Sequence, residues 1–515
     1  MERTKKTFVN AIFGVADKLI ATIVTFVSRT IFIYTLGAEY LGVSSLFTSI
    51  LTMLSLAELG FATAITYNLY KPLAKGNVKK TAAYMNFFRK VYIIVGIVIL
   101  IVGLMLMPFL KEIISDDVPN IKESIYLIYF LYLLNTAISY FLVYKATLLE
   151  ANQNKYIVSV SHAIVSVIKT IANSIALIIT KNFILYLIIE IVCTVLYNLI
   201  ISFVADKKYK EILGSKESKL NKREKKLIFN NVKAMFLYKF CAVILDGTDN
   251  IIISRYLGTV MVGIYSNYYT IINQVFAFIL QIIQASTASI GNLAVEKGKE
   301  DQERVFKNII FLSFIIYFIC SALLFNCLNP FITLWLGESY LLETSVVVAL
   351  VFNFYTTGML SPVTAFRTAN GLFMQGKYRP LIMAILNIII SIVLVKVMGL
   401  IGVFIGTIIA RLVTQVWYDP YLIYKKAFGK SPKIYFKKYI LYILVTIIGC
   451  VIIYEVNQLL NIKNLIIQLL FNVIFSIVVV TLMTIIIFRN TPEYIYVKDL
   501  AKKILNKLKS KIIKK

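Results

Sequence analysis

Six cations stand where a membrane-spanning chain rarely places them: Lys18, Arg29, Lys145, Lys169, Arg367 and Arg411, each inside a long apolar run. A charge at mid-membrane costs about 2.5–3.5 kcal/mol on insertion scales, so such groups usually face a cavity or a partner. Fixed cations in a cavity hold anions; on their own they break no bonds. Glu58, Asp246 and Asp249 are the acidic counterparts placed to bind an ion or proton, and Glu190 and Asp419 are further counter-ion candidates that the sequence does not pair. No phosphate-binding glycine loop, activated nucleophile or metal-ligand cluster is present, which gives no support to ATP hydrolysis, covalent catalysis or a bound metal or other cofactor. His162, the only histidine, has no ligand partners nearby in sequence and reads as structural.

Spacing sharpens the placement. Lys18, Thr22, Thr25 and Arg29 follow one another at intervals of 4, 3 and 4, which puts them on one face of a helix. For Arg29, near the outer end of its run, snorkelling to the interface is the competing reading. Ser44, Thr48, Ser55 and Glu58 form a second polar stripe, suited to helix packing or to hydrogen bonds with sugar hydroxyls.

The elements that carry these residues are long. The chain has 515 residues, 59% of them hydrophobic and only 16% charged, with a mean hydropathy of +0.80. Run after run of about 20 apolar residues matches the thickness of a bilayer core, and only helices or closed barrels satisfy the backbone there. Apolar segments at about 8–35, 41–69, 84–110, 124–149, 157–180, 184–205, 233–257, 262–292, 307–328, 344–370, 380–398, 400–424, 438–456 and 464–488 predict an all-α polytopic membrane protein of about fourteen transmembrane helices. The five cysteines, all within apolar runs, read as small core hydrophobes.

The net charge of +28 follows the loops, not a nucleic-acid surface. About 40 of the 54 lysines and arginines lie in the N-terminus, alternate loops and the tail, against about six in the intervening loops. That asymmetry predicts both termini in the cytoplasm. The tail sets Val497, Leu500, Ile504, Leu508 and Ile512 at helical spacing against eight lysines, as in a helix lying on anionic lipids; a solvated basic tail is the alternative.

An internal repeat organises the rest. Lys18, Thr25, Arg29, Gly37 and Gly42 recur as Lys239, Asp246, Asn250, Gly258 and Gly263, an offset of 221. Lys145 with Lys155-Tyr156 recurs as Arg367 with Lys377-Tyr378, an offset of 222. Two parallel six-helix lobes are expected, 1–206 and 232–426, joined by a basic linker, 207–231; two more helices follow at 427–490 and an amphipathic tail at 491–515.

The runs LGAEYLG from Leu36, LAELGF from Leu56 and ISRYLG with VGIYSNYY from Ile253 resemble the polysaccharide-transporter family, the lipid-linked oligosaccharide flippases of bacterial envelope biosynthesis. The resemblance implies two lobes around a central cleft open alternately to each side of the bacterial plasma membrane, with an undecaprenyl diphosphate oligosaccharide as cargo. It also implies that cleft cations hold the diphosphate, with glycan polymerase or glycosyltransferases as candidate partners. By their depth in the apolar runs Lys145 and Arg367 would capture the headgroup near the cytoplasmic mouth, and Lys169, Arg411 and then Arg29 would hold it deeper and towards the outer side, with Lys18 a further member of the charge-holding set. A multidrug or cation antiporter of the same fold is the alternative; there Asp17, Glu58, Asp246 and Asp249 would carry the ion or proton.

Overall fold

A computed structural model describes the backbone of all residues except 1, 56–60, 115–120, 216–217, 297, 371, 373–374, 377 and 514–515. Side chains are described outside those positions and outside 2–9, 11–12, 15, 61–67, 227, 230–231, 233–243, 245–246, 281–296, 504–505 and 507–513. Glu58 and the side chain of Asp246 therefore lie outside the described residues.

The described chain is all-helical. Numbered without the short turns, its helices are α1 (Glu2–Leu54), α2 (Phe61–Ala74), α3 (Val78–Leu106), α4 (Ile125–Tyr140), α5 (Val143–Ala151), α6 (Lys155–Thr180), α7 (Phe183–Lys208) and α8 (Lys222–Leu257). They continue as α9 (Thr259–Glu296), α10 (Lys299–Leu336), α11 (Thr344–Ala369), α12 (Arg379–Met398), α13 (Leu400–Arg411), α14 (Trp417–Ile423), α15 (Lys433–Leu460), α16 (Leu465–Phe488) and α17 (Pro492–Ile513). Among the described residues ten helices are long and apolar enough to cross a membrane, or eleven if α4 and α5, bent by 41°, count as one span. Fourteen were expected. α1 consists of two helices meeting at a kink at Gly37, which fall on the first expected span and the start of the second, and the expected spans 233–257 and 262–292 fall on α8 and α9, whose side chains are described only in part.

The chain divides into two compact units, Met1–Gly263 and Ile264–Lys515. In the first, α1 packs on α6 and α8, and α4 packs on α3 and α7. The repeated glycines meet inside this unit. Gly37 kinks α1 at φ 88°, ψ −176°, and Gly258 ends α8 at φ 89°, ψ 163°, a backbone state that disfavours any side chain. Five residues after each, a second glycine allows the backbones to touch: a Cβ on Gly42 would lie 1.8 Å from the Thr259 carbonyl oxygen, and one on Gly263 would lie 2.2 Å from that of Ala38. Ala38 and Thr259 stand at the same offset of 221, so these contacts are reciprocal.

In the second unit α10 is the central post. Its Phe306, Phe311, Phe314, Tyr317 and Phe318 are wholly buried. Phe314 stacks on Tyr442 of α15 at 4.4 Å and meets Phe488 of α16 edge-on at 5.4 Å. Aromatic pairs of this kind add about 0.5–1.5 kcal/mol each beyond the area they bury. Asn472 of α16 also donates to the Asn326 carbonyl oxygen at 2.7 Å. The last two apolar helices are thus packed on α10 as an integral part of the unit.

Candidate functional site

A cavity of about 320 Å³ opens inside the first unit, walled by α1, α4, α6 and α7. Among the described residues Arg29 and Lys169 are its two cations and Glu190 its one carboxylate. Lys169 Nζ donates to Glu190 Oε2 at 2.9 Å, and Asn173 Nδ2 donates to Glu190 Oε1 at 2.9 Å. Hydroxyls and an amide extend the polar lining, among them Thr25, Ser28, Ser44, Thr48, Tyr132, Asn135 and Tyr186. Tyr132 and Ser44 share a hydrogen bond of 2.5 Å. Asn135 Oδ1 is buried with no hydrogen-bond partner among the described residues, so it presents an unused acceptor.

Local sequence explains this assembly. The interval of 4 between Thr25 and Arg29 keeps both on the face of α1 that lines the cavity. Lys181, in the left-handed conformation at φ 49°, ends α6, and Asn182 caps α7 by accepting from the Leu185 amide at 3.0 Å. The resulting antiparallel hairpin brings Lys169 and Glu190 to one depth. Phe32, Phe183 and Tyr186 pack together at 5.3–5.9 Å, fixing an aromatic wall behind the polar groups.

The other expected cations lie elsewhere. Lys145 is buried and donates to Ser202 Oγ at 2.6 Å and to Asp206 Oδ2 at 2.6 Å, tying α5 to α7. Arg367 is buried too. Its Nη1 meets Asp419 Oδ1 at 3.0 Å, its Nε donates to the Leu372 carbonyl oxygen at 2.9 Å, and its Nη2 donates to that of Gln375 at 2.5 Å. Arg379, the first residue of α12, sits against the second oxygen of Asp419. This triad holds the connection between α11 and α12 against α14.

Arg411 donates to the Asn353 carbonyl oxygen at 3.2 Å and contacts the Asn353 and Thr356 side chains, at the point where α13 passes into a π-helical turn, Leu412–Val416. Lys18 is half-buried and lies outside the cavity lining, its carbonyl accepting from Thr22 at 2.9 Å. Asp249 is buried on α8. His162 pairs with Asp17 at 2.9 Å, a contact that no sequence spacing announced.

Residues 4–288 match the family described as polysaccharide biosynthesis protein. The chain belongs to that family. No curated protein matches the sequence. Among solved structures, the lipid II flippase MurJ in an inward closed conformation aligns with a TM-score of 0.61 at 16% identity, covering 94% of this chain and 99% of that one. An inward-facing multidrug resistance MATE family transporter of the MOP superfamily aligns at 0.56 and 16%, covering 78% and 95%. The Vibrio cholerae MATE transporter VcmN, in its bent form, aligns at 0.54 and 16%, covering 83% and 98%. This member of the polysaccharide biosynthesis protein family therefore has the fold seen in those flippase and transporter structures.

Proposed function

We propose that the protein is a flippase that carries an undecaprenyl-diphosphate-linked oligosaccharide outward across the bacterial plasma membrane by alternating access of two lobes. The observation that carries this reading is the cavity in the first unit, where Arg29 and Lys169 stand among hydroxyl and amide groups. Cations neutralise a diphosphate that could not otherwise leave water, since unpaired charge in an apolar medium is prohibitively costly. Hydroxyls, an unused amide acceptor and aromatic faces are the partners that sugars use. In this reading Lys145 and Arg367 serve as buried ties, and Arg411 and Lys18 remain stations along the route.

Purified protein in liposomes that contain a lipid-linked oligosaccharide on one leaflet tests this directly. The glycan should become accessible to a glycosidase on the other side, and failure to move it under any ion gradient would refute the reading. A cation or multidrug antiporter is the second reading, supported by Asp249 and the Glu190 carboxylate. The cavity's two cations to one carboxylate weigh against it. Efflux of a cationic dye with no glycan movement would favour it.

Orientation is part of the same proposal. Both termini and the linker 207–231 lie in the cytoplasm, where their lysines face anionic lipid; α17 then places a basic surface at the inner leaflet. In a background without native cysteines, a cysteine at Lys219 should resist an impermeant thiol reagent in intact cells, while one at Ser339 should react. Labelling of the linker from outside would reverse the topology.

A further inference from the structure

The charges around Glu190 do not balance a diphosphate as they stand. Arg29 and Lys169 supply two positive charges to the cavity, and Glu190 cancels one of them. A diphosphate esterified at both ends carries two negative charges. Bound beside an ionised Glu190, it would leave a surplus anion in a pocket screened by protein, with carboxylate and phosphate competing for one ammonium group. Bound beside a protonated Glu190, it would meet two cations with no charge left over. Like charges at close range in a low-dielectric site repel strongly, so the second state is favoured.

We propose that Glu190 takes up a proton when the diphosphate binds, and that it returns to the carboxylate form paired with Lys169 when the headgroup leaves. This inference rests on the reading of the cavity as a headgroup site. The proton comes from solvent and goes to a Glu190 oxygen; no other bond is made or broken. Asn173 stays hydrogen-bonded to Glu190 in either form, because it donates and the protonated carboxyl keeps an acceptor oxygen. The other groups around Glu190 do not offer a competing proton site. Tyr132 and Tyr186 face it from α4 and α7, Cys193 lies one turn further along α7, and Arg29 faces the same cavity from α1. The phenols and the thiol are already protonated at neutral pH, and the guanidinium cannot lose its proton there.

The linkage is measurable without a transport assay. Full-length protein in detergent is titrated calorimetrically with a geranyl diphosphate sugar in buffers of different ionisation enthalpy, since a diphosphate diester keeps the same charge across the working range. Wild-type protein should take up about one proton per ligand, and its affinity should fall about tenfold per pH unit wherever empty Glu190 is ionised. Glu190→Gln should take up none, bind with pH-independent affinity and exceed wild type at the alkaline end. Binding that depends on Arg29 and Lys169 but takes up no proton in wild type would overturn this inference alone. Equal proton uptake by Glu190→Gln would also overturn it. No binding by wild type would remove the headgroup reading and this inference together. The wild-type measurement stands even if the variant fails to fold.

Discussion

Asp419→Ala should destabilise the protein more than truncation of either Asp206 or Glu190, the carboxylates that pair with Lys145 and Lys169. The Asp419 carboxylate is fully buried between Arg367 and Arg379, both themselves largely buried, so truncation leaves two guanidinium groups inside the protein without their anion. Removing one partner from a buried ion pair costs about 3–5 kcal/mol, whereas replacing the whole group by apolar residues of similar volume is often neutral. Thermal unfolding in detergent should therefore show a midpoint lowered by several degrees for Asp419→Ala. Most of that loss should be recovered when Arg367→Met and Arg379→Met are added. An unchanged midpoint for the single variant would show that the triad does not hold the α11–α12 connection. Lys145→Met should cost less, because Asp206 remains half exposed to solvent and can stay ionised alone.

How much of this could be read from the sequence varies by feature. Helices are set by local composition, and the apolar runs from 84–110 onward each fall on a helix or bent helix pair. The repeat was legible because its glycines answer a backbone demand: positive φ at Gly37 and Gly258, and backbone contact at Gly42 and Gly263. Ion pairing was not legible. Lys145 reaches Asp206 across 61 residues and Arg367 reaches Asp419 across 52, and only tertiary packing sets those distances. Lys169 and Glu190 are the exception. They lie 12 residues before and 9 after Lys181, near-equal depths in a hairpin whose turn can be read from Lys181-Asn182, so the pairing could have been found. Hydroxyls such as Thr25, Ser44 and Thr48 were visible as stripes, but which stripe faced a cavity depended on α4 and α7.

The central claim is that Arg29 and Lys169 neutralise an anionic headgroup during its passage. Arg29→Gln or Lys169→Gln removes one of the two cations and should lower outward movement of the lipid-linked glycan about a hundredfold. Lys169→Gln also leaves Glu190 without its ion-pair partner, although Asn173 still donates to it. Arg29→Lys should retain part of the activity if charge suffices, and less if both guanidinium donors grip the phosphates. Initial rates of glycan export in proteoliposomes, compared at equal amounts of folded protein, give the most direct measurement. For the double variant Arg29→Gln, Lys169→Gln the expected rate is that of empty liposomes. Export by that variant at the wild-type rate would contradict the account and place the headgroup's path outside this cavity.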